Sequence, residues 1–194
     1  MDVPNRSAFR VNHCSDEELT ARCAGGDRTA MDVLVGRYHA QLLDFAYRRL
    51  RDRDAAADIA QTALARAFQS AASYRPGASF RTWLYTIALN LVRDEWRRRR
   101  VRKESPLAET EPASDSHSPE DAAVDRMDAS ALWESVAALP EDRACAVVLK
   151  FRHGLTYEEI AEVMRAPVGT IKSWVHHGLR ALRESLDSEE REDY

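Results

Sequence analysis

The 194-residue chain is long enough for one ordinary domain or two small ones, and its seven glycines, seven prolines and few β-branched runs point to an all-α protein. No apolar run approaches the ~18 residues of a membrane span and no apolar secretory segment leads the sequence, so a cytoplasmic protein without membrane insertion is expected. Cys14, Cys23 and Cys145 form no CxxC pair, which fits reduced thiols better than a disulfide framework, and His13, Cys14 and Cys23 lack the fourth ligand of a zinc site. No metal or cofactor is expected.

The net charge of −4 conceals a segregation that the isoelectric point hides. Residues 15–103 carry 17 basic against 11 acidic side chains, whereas 104–125 carry seven acidic and no basic ones. Residues 126–186 are balanced at eight of each, and 187–194 hold five acidic and one basic. Such blocks describe local surfaces, not a fold.

Residues 1–14 show no periodicity and read as disordered. Ser15 with Glu18 has the form of a capping box, opening a short helix that Gly25 and Gly26 end. Asp27 can cap the next helix, on which Met31, Leu34, Tyr38, Leu42 and Phe45 keep one face apolar to about Leu50. Asp54 can cap a third, running to about Ala72, with Ala56, Ile59, Ala60, Ala63 and Ala67 as a small-residue face. Its other side carries Asp58, Gln61, Thr62 and Arg66.

Tyr74 to Gly77 make a turn, and Ser79 can cap a long helix to Lys103 that carries two stripes. Phe80, Leu84, Ile87, Ala88 and Leu91 form a core face. One step out of phase, Trp83, Thr86, Asn90, Arg93, Arg97 and Arg100 run from aromatic through polar to basic. Rings stack on exposed bases, amides read base edges and guanidinium groups neutralise phosphates, so this stripe suits a nucleic acid strand. A boundary tryptophan beside a solvated basic helix end accounts for it equally well at this point.

Residues 104–117 switch to Glu, Pro, Ser, Thr and Asp, the composition of a flexible acidic linker. Ser118 and Pro119 begin a helix with Val124, Met127, Ala131, Leu132 and Val136, ending near Leu139 and Pro140. Another follows with Ala144, Val147, Val148 and Phe151, ending at His153 and Gly154. From Leu155 to Leu186 a capping box of Thr156 and Glu159, an inward set of Ile160, Ala161 and Met164, a turn at Ala166 and Pro167, and a helix from Val168 with Ile171, Val175, Leu179 and Leu182 inward make a helix-turn-helix pattern. That pattern sets Thr170, Lys172, Ser173, His176 and His177 outward, where a major groove would lie. The domain plan is a four-helix unit over 15–103, the linker 104–117, a four-helix unit over 118–186 and an acidic tail over 187–194.

The stretches DIAQTALARAF, FRTWLYTIALNLVRDEWRRRR, LPEDRACAVVLKFRHGLTYEEIAEVM and PVGTIKSW, in this order and spacing, resemble the extracytoplasmic-function (ECF) group of bacterial RNA polymerase sigma factors. The resemblance implies a non-catalytic subunit that binds core RNA polymerase, directs it to promoter DNA and promotes melting, and it makes an anti-sigma partner plausible. It places Asp58 and Gln61 at the polymerase clamp helices, with Arg49, Arg53 and Arg66 around that dock. It places Tyr74, Phe80, Trp83, Thr86 and Asn90 at the minus-ten element, with Arg93, Arg97, Arg98 and Arg100 on phosphates. The helix from Val168 would read the minus-thirty-five element while the second unit's other surface meets the polymerase flap. Arg165 stands where the family usually has Gly, Ala60 and Thr62 replace a bulkier residue and a carboxylate, Trp174 and His177 stand where Arg is common, and Gly178 lies inside the recognition helix. A helix-turn-helix regulator that never joins polymerase would leave the stripe from Trp83 to Arg100 unused. A DNA-acting enzyme would need a carboxylate or nucleophile constellation that the sequence does not display.

Overall fold

Helices begin where a side-chain acceptor precedes apolar periodicity. The computed structural model describes residues 13–74, 79–104 and 130–192. Helix α1 spans Asp16–Ala24, and its capping box is complete: the Glu18 N–H donates to Ser15 Oγ at 3.2 Å and the Ser15 N–H to Glu18 Oε2 at 2.9 Å. Gly25 caps its end, and Gly26 takes φ 84°, a left-handed value that suits glycine. Asp27 then accepts from the Thr29 and Ala30 N–H groups to start α2, Arg28–Leu50.

Helix α3 runs Arg53–Gln69 and its cap is Asp52, whose carboxylate accepts from the Ala55 N–H at 3.0 Å. The sequence pattern points to Asp54 as the cap, but Arg51 at φ 53° already ends α2, so the helix starts two residues earlier. Asp54 falls in the first turn, where its charge complements the helix dipole. A short 3-10 turn at Ala71–Ser73 follows. Helix α4 runs Phe80–Glu104, with the Thr82 N–H on Ser79 Oγ at 3.3 Å. The turn residues 75–78 lie outside the described residues, as do 1–12 and the linker from 105.

Helix α5 spans Ser130–Ala138, so the helix start at Ser118 and the positions of Val124 and Met127 lie outside the described residues. Helix α6, Glu141–Val147, passes into a π-helical turn over Val148–Arg152, closed by the His153 N–H on the Val148 carbonyl at 3.2 Å. Gly154, at φ 66°, redirects the chain into α7, Tyr157–Met164. There the Glu159 N–H donates to Thr156 Oγ1 at 3.1 Å and the Thr156 N–H to Glu159 Oε2 at 2.7 Å. Helix α8, Val168–Glu192, continues through most of the acidic tail.

All described regular elements are helical. Two compact units share the chain: α1 to α3 with α4 up to Trp96, and α5, α6, α8 with most of α7. In the first, α2 packs along α3, whose buried Ala56, Ala60, Ala63 and Ala67 permit a close approach. Edge-on ring pairs tie α2 to α4: Phe45 to Tyr85 at 5.6 Å and Tyr38 to Phe80 at 5.5 Å between centroids. In the second, α8 packs mainly on α6 and also on α5, burying Val136, Ala144, Val147, Ile171, Val175 and Leu182.

Two positions expected inward are exposed: Phe151 at 58% and Leu179 at 43%. The π-helical turn widens the helix around Phe151 and shifts its phase, which turns that ring out. Leu179 yields the inner position to Gly178, because α8 and α6 approach too closely there for a side chain. A Cβ at Gly178 would stand 2.7 Å from Val147 Cγ2.

Candidate nucleic-acid interface

Helix α4 presents its first stripe inward as read from the sequence, and Tyr85, Leu89 and Val92 widen it. Phe80 belongs wholly to this stripe. At 1% exposure it cannot offer its ring to a strand, and it serves as the floor on which the half-buried Tyr74 and Trp83 rest. The Tyr74 and Trp83 centroids are 5.3 Å apart, and Phe80 lies 6.2 and 6.0 Å from them. Burial first, then the carboxylates of Glu17 and Asp16, push the Tyr74 phenol above its usual range and keep it a neutral hydroxyl. Asp16 is held in place by the Tyr38 hydroxyl and by Arg37 Nη1 at 2.6 Å.

Beyond the rings the face becomes polar. The Thr86 hydroxyl donates to the Thr82 carbonyl at 2.8 Å, which leaves its oxygen free to accept. Asn90 is exposed two turns beyond Trp83, and its amide makes no hydrogen bond to the described residues. Arg97, Arg98 and Arg100 are exposed and Arg93 is half-buried. The face thus brings together stacking surface, an amide with both donor and acceptor, and cations along one rigid axis.

On α3 the exposed Asp58 and Gln61, three residues apart, share the face opposite the alanines, and Arg53 and Arg66 are exposed too. Arg49 does not join them. It is 9% exposed, with its guanidinium over the Trp96 ring, so it is a packing residue and not a docking one.

The turn between α7 and α8 passes through Arg165 at φ 55°, and the Ile171 N–H donates to the Pro167 carbonyl at 3.1 Å as α8 begins. Lys172, Ser173, His176 and His177 are exposed on α8 and Thr170 is half-buried, with the two imidazole centroids 5.7 Å apart. The sequence reading missed Tyr157. Its ring receives the Lys150 ammonium at 4.6 Å and that of Lys172 at 5.7 Å, from positions too far apart in the chain for any local spacing to reveal. Among the described residues no group of three His, Cys, Asp or Glu side chains is placed to hold a metal, and no helix is long and apolar enough to cross a membrane.

These two units match two family models, Sigma-70 region 2 over residues 34–102 and Sigma-70 region 4 over 129–182. The fold and the polar helix faces therefore define a transcription initiation factor of the sigma-70 class. RNA polymerase sigma-H factor of Pseudomonas aeruginosa is 33% identical over 181 residues, covering 88% of this chain and 93% of its own. The ECF RNA polymerase sigma factor SigW of Bacillus subtilis is 34% identical over 175 residues, covering 83% and 91%. Among solved structures, the sigma factor RpoE of Bartonella quintana, in complex with the anti-sigma factor NepR, superposes with a TM-score of 0.63 at 25% identity, covering 79% of this chain and 94% of that one. The chain belongs to the ECF RNA polymerase sigma factors, which direct RNA polymerase to promoters.

Proposed function

We propose that this chain acts in the cytoplasm as a specificity subunit without catalytic chemistry, and that its four polar faces divide the work of initiation. The exposed α3 face around Asp58 and Gln61 docks on the clamp helices of core polymerase. The Tyr74 and Trp83 rings with Thr86 and Asn90 capture unstacked bases of the minus-ten element, over Phe80 as their support, while Arg93, Arg97, Arg98 and Arg100 hold phosphates. Thr170, Lys172, Ser173, His176 and His177 on α8 read the minus-thirty-five element, and the remaining surface of the second unit meets the flap. The observation that supports this reading is the exposed Asn90 amide aligned on one helix with Trp83, whose ring pairs with Tyr74 over Phe80.

Unstacking costs a few kcal/mol per base, so one short face does not melt duplex alone. Joining two DNA contacts and two polymerase contacts makes each effectively intramolecular. A free sigma factor of this design binds promoters weakly, and the holoenzyme binds them tightly and salt-sensitively. Because a solved relative is bound to an anti-sigma factor, a comparable protein that covers these faces is the expected antagonist.

Asn90→Ala tests the reading. Permanganate footprinting of the holoenzyme should show impaired opening while core binding persists. Equal loss of both would reduce Asn90 to a structural role. Tight, specific duplex binding by the free chain, with no core-dependent transcription, would favour a simple helix-turn-helix regulator instead.

A further inference from the structure

Tyr157 opens α7 directly after the Thr156 cap, half-buried, and its ring is the meeting point of two cations from different elements. Lys150 arrives from the π-helical turn after α6 and is held there by a 3.2 Å hydrogen bond from its ammonium to the Leu155 carbonyl. Lys172 arrives from the outer face of α8. With centroid distances of 4.6 and 5.7 Å, the two ammonium groups stand no more than about 10 Å apart, the Debye length at 0.1 M salt. Neither has a carboxylate partner among the described residues. Of the two first-turn acids of α7, Glu159 is committed to the capping box and Glu158, exposed beside Tyr157, makes no ion pair with either lysine, while the positive end of α7 adds charge of the same sign.

A lysine side chain is flexible and well hydrated, so it makes a poorly defined contact unless something fixes it. An aromatic face does this by attracting the ammonium without neutralising it. Two cations gathered on one ring repel one another, and an anion that bridges them relieves that repulsion.

We infer that Tyr157 is a positioning residue that gathers Lys150 and Lys172 into one composite cationic contact for a backbone phosphate of the minus-thirty-five duplex. This rests on the reading of α8 as the helix that faces that duplex. It adds to that reading a residue that need not touch a base, and a lysine, Lys150, from outside the helix-turn-helix.

The test uses the full chain assembled with core polymerase and a promoter fragment selected by that holoenzyme from a randomised library. Tyr157→Phe and Tyr157→Trp keep a cation-binding face and should hold affinity within about twofold of the parent. Tyr157→Leu should weaken binding roughly two- to fivefold, the range expected for one exposed cation–π contact, and flatten the salt dependence. In a Lys150→Met, Lys172→Met background, Tyr157→Leu should cost nothing further. The same loss in that background overturns the positioning role alone, and so does a Tyr157→Phe as weak as Tyr157→Leu. If the double lysine variant binds as the parent does, the composite contact is absent and the inference fails, whereas unchanged binding of a Ser173→Ala, His176→Ala, His177→Ala variant as well would sink the assignment of α8. Thermal melts identify a leucine variant that fails to fold, in which case the phenylalanine and tryptophan variants decide: loss in both overturns the inference.

Discussion

The guanidinium of Arg49 lies 5.0 Å from the centroid of the Trp96 ring, a contact that pins α2 to α4 just before the arginine run begins. Burial strips water from the cation, and its Nε makes no hydrogen bond, so the ring face supplies the compensating attraction. Arg49→Ala should destabilise the first unit by about 1–3 kcal/mol, combining the lost cation–π term with lost packing of the aliphatic stem. Urea unfolding measures this. A Trp96→Ala cycle should show the two losses to be less than additive. Core binding of folded Arg49→Ala should be unchanged, unlike that of Asp58→Ala.

Gly178 makes a sharper case, because two opposing effects of known size meet at one atom. Alanine in mid-helix gains up to ~1 kcal/mol in propensity, yet its Cβ would sit 2.7 Å from Val147 Cγ2 and 3.5 Å from Leu139 Cδ1. Valine is stiff at χ1 and cannot swing clear, and overpacking typically costs about 1–3 kcal/mol. Gly178→Ala should therefore lower the melting temperature of the second unit, and Val147→Ala added to it should recover part of the loss. A more stable Gly178→Ala single variant would refute this account of the helix crossing.

Arg165 holds a left-handed φ of 55° that costs a residue with a Cβ about 1–2 kcal/mol. Replacement by Gly should raise the melting temperature. Measured alongside, promoter affinity separates two explanations of the arginine: a fall would mark it as a DNA contact, and no change would leave it merely tolerated.

Acid should loosen the junction of α1 and α2. The hydrogen bond from Arg22, followed by those from the Ala30 and Thr29 N–H groups, holds the Asp27 carboxyl below its usual range. Since the folded state lowers this pKa, the stabilisation is complete above the ordinary carboxylate value of about 4 and fades as pH falls through the lowered one. Amide exchange at Thr29 and Ala30 should accelerate in that window. Asp27→Asn, which retains an acceptor but not the charge, should flatten the response.

Helices and caps were legible because each depends on neighbours within four residues. Ser15, Glu18, Asp27, Ser79, Thr156 and Glu159 all cap as their spacing implies. Errors arose where a distant element decided. Leu179 follows helical period, but the close approach of α6 at residue 178 selects which side turns inward. Phe151 obeys a 3.6-residue period that the π-helical turn abandons. Arg49 reads as a surface cation until Trp96, 47 positions later, is folded over it. Phe80 reads as a core-face residue by its spacing and as a minus-ten residue by the resemblance, and burial keeps it in the core face. At the interface itself, the pairing of Trp83 with Asn90 was visible as a two-turn spacing, whereas the Tyr157 cluster needs three elements to exist.

Because Trp83 and Arg100 ride on one uninterrupted helix, α4 is also a ruler. At 1.5 Å per residue the interval between them is about 25 Å, the length of roughly seven base pairs of duplex. Whatever is held at the arginine end stands a fixed distance from whatever is captured at the tryptophan. One inserted residue would lengthen that interval only slightly, but it would swing the arginines about a hundred degrees off the shared face. The separation and phase of the ring end and the arginine end are therefore properties of helix length, written into the number of residues and not only into their identities.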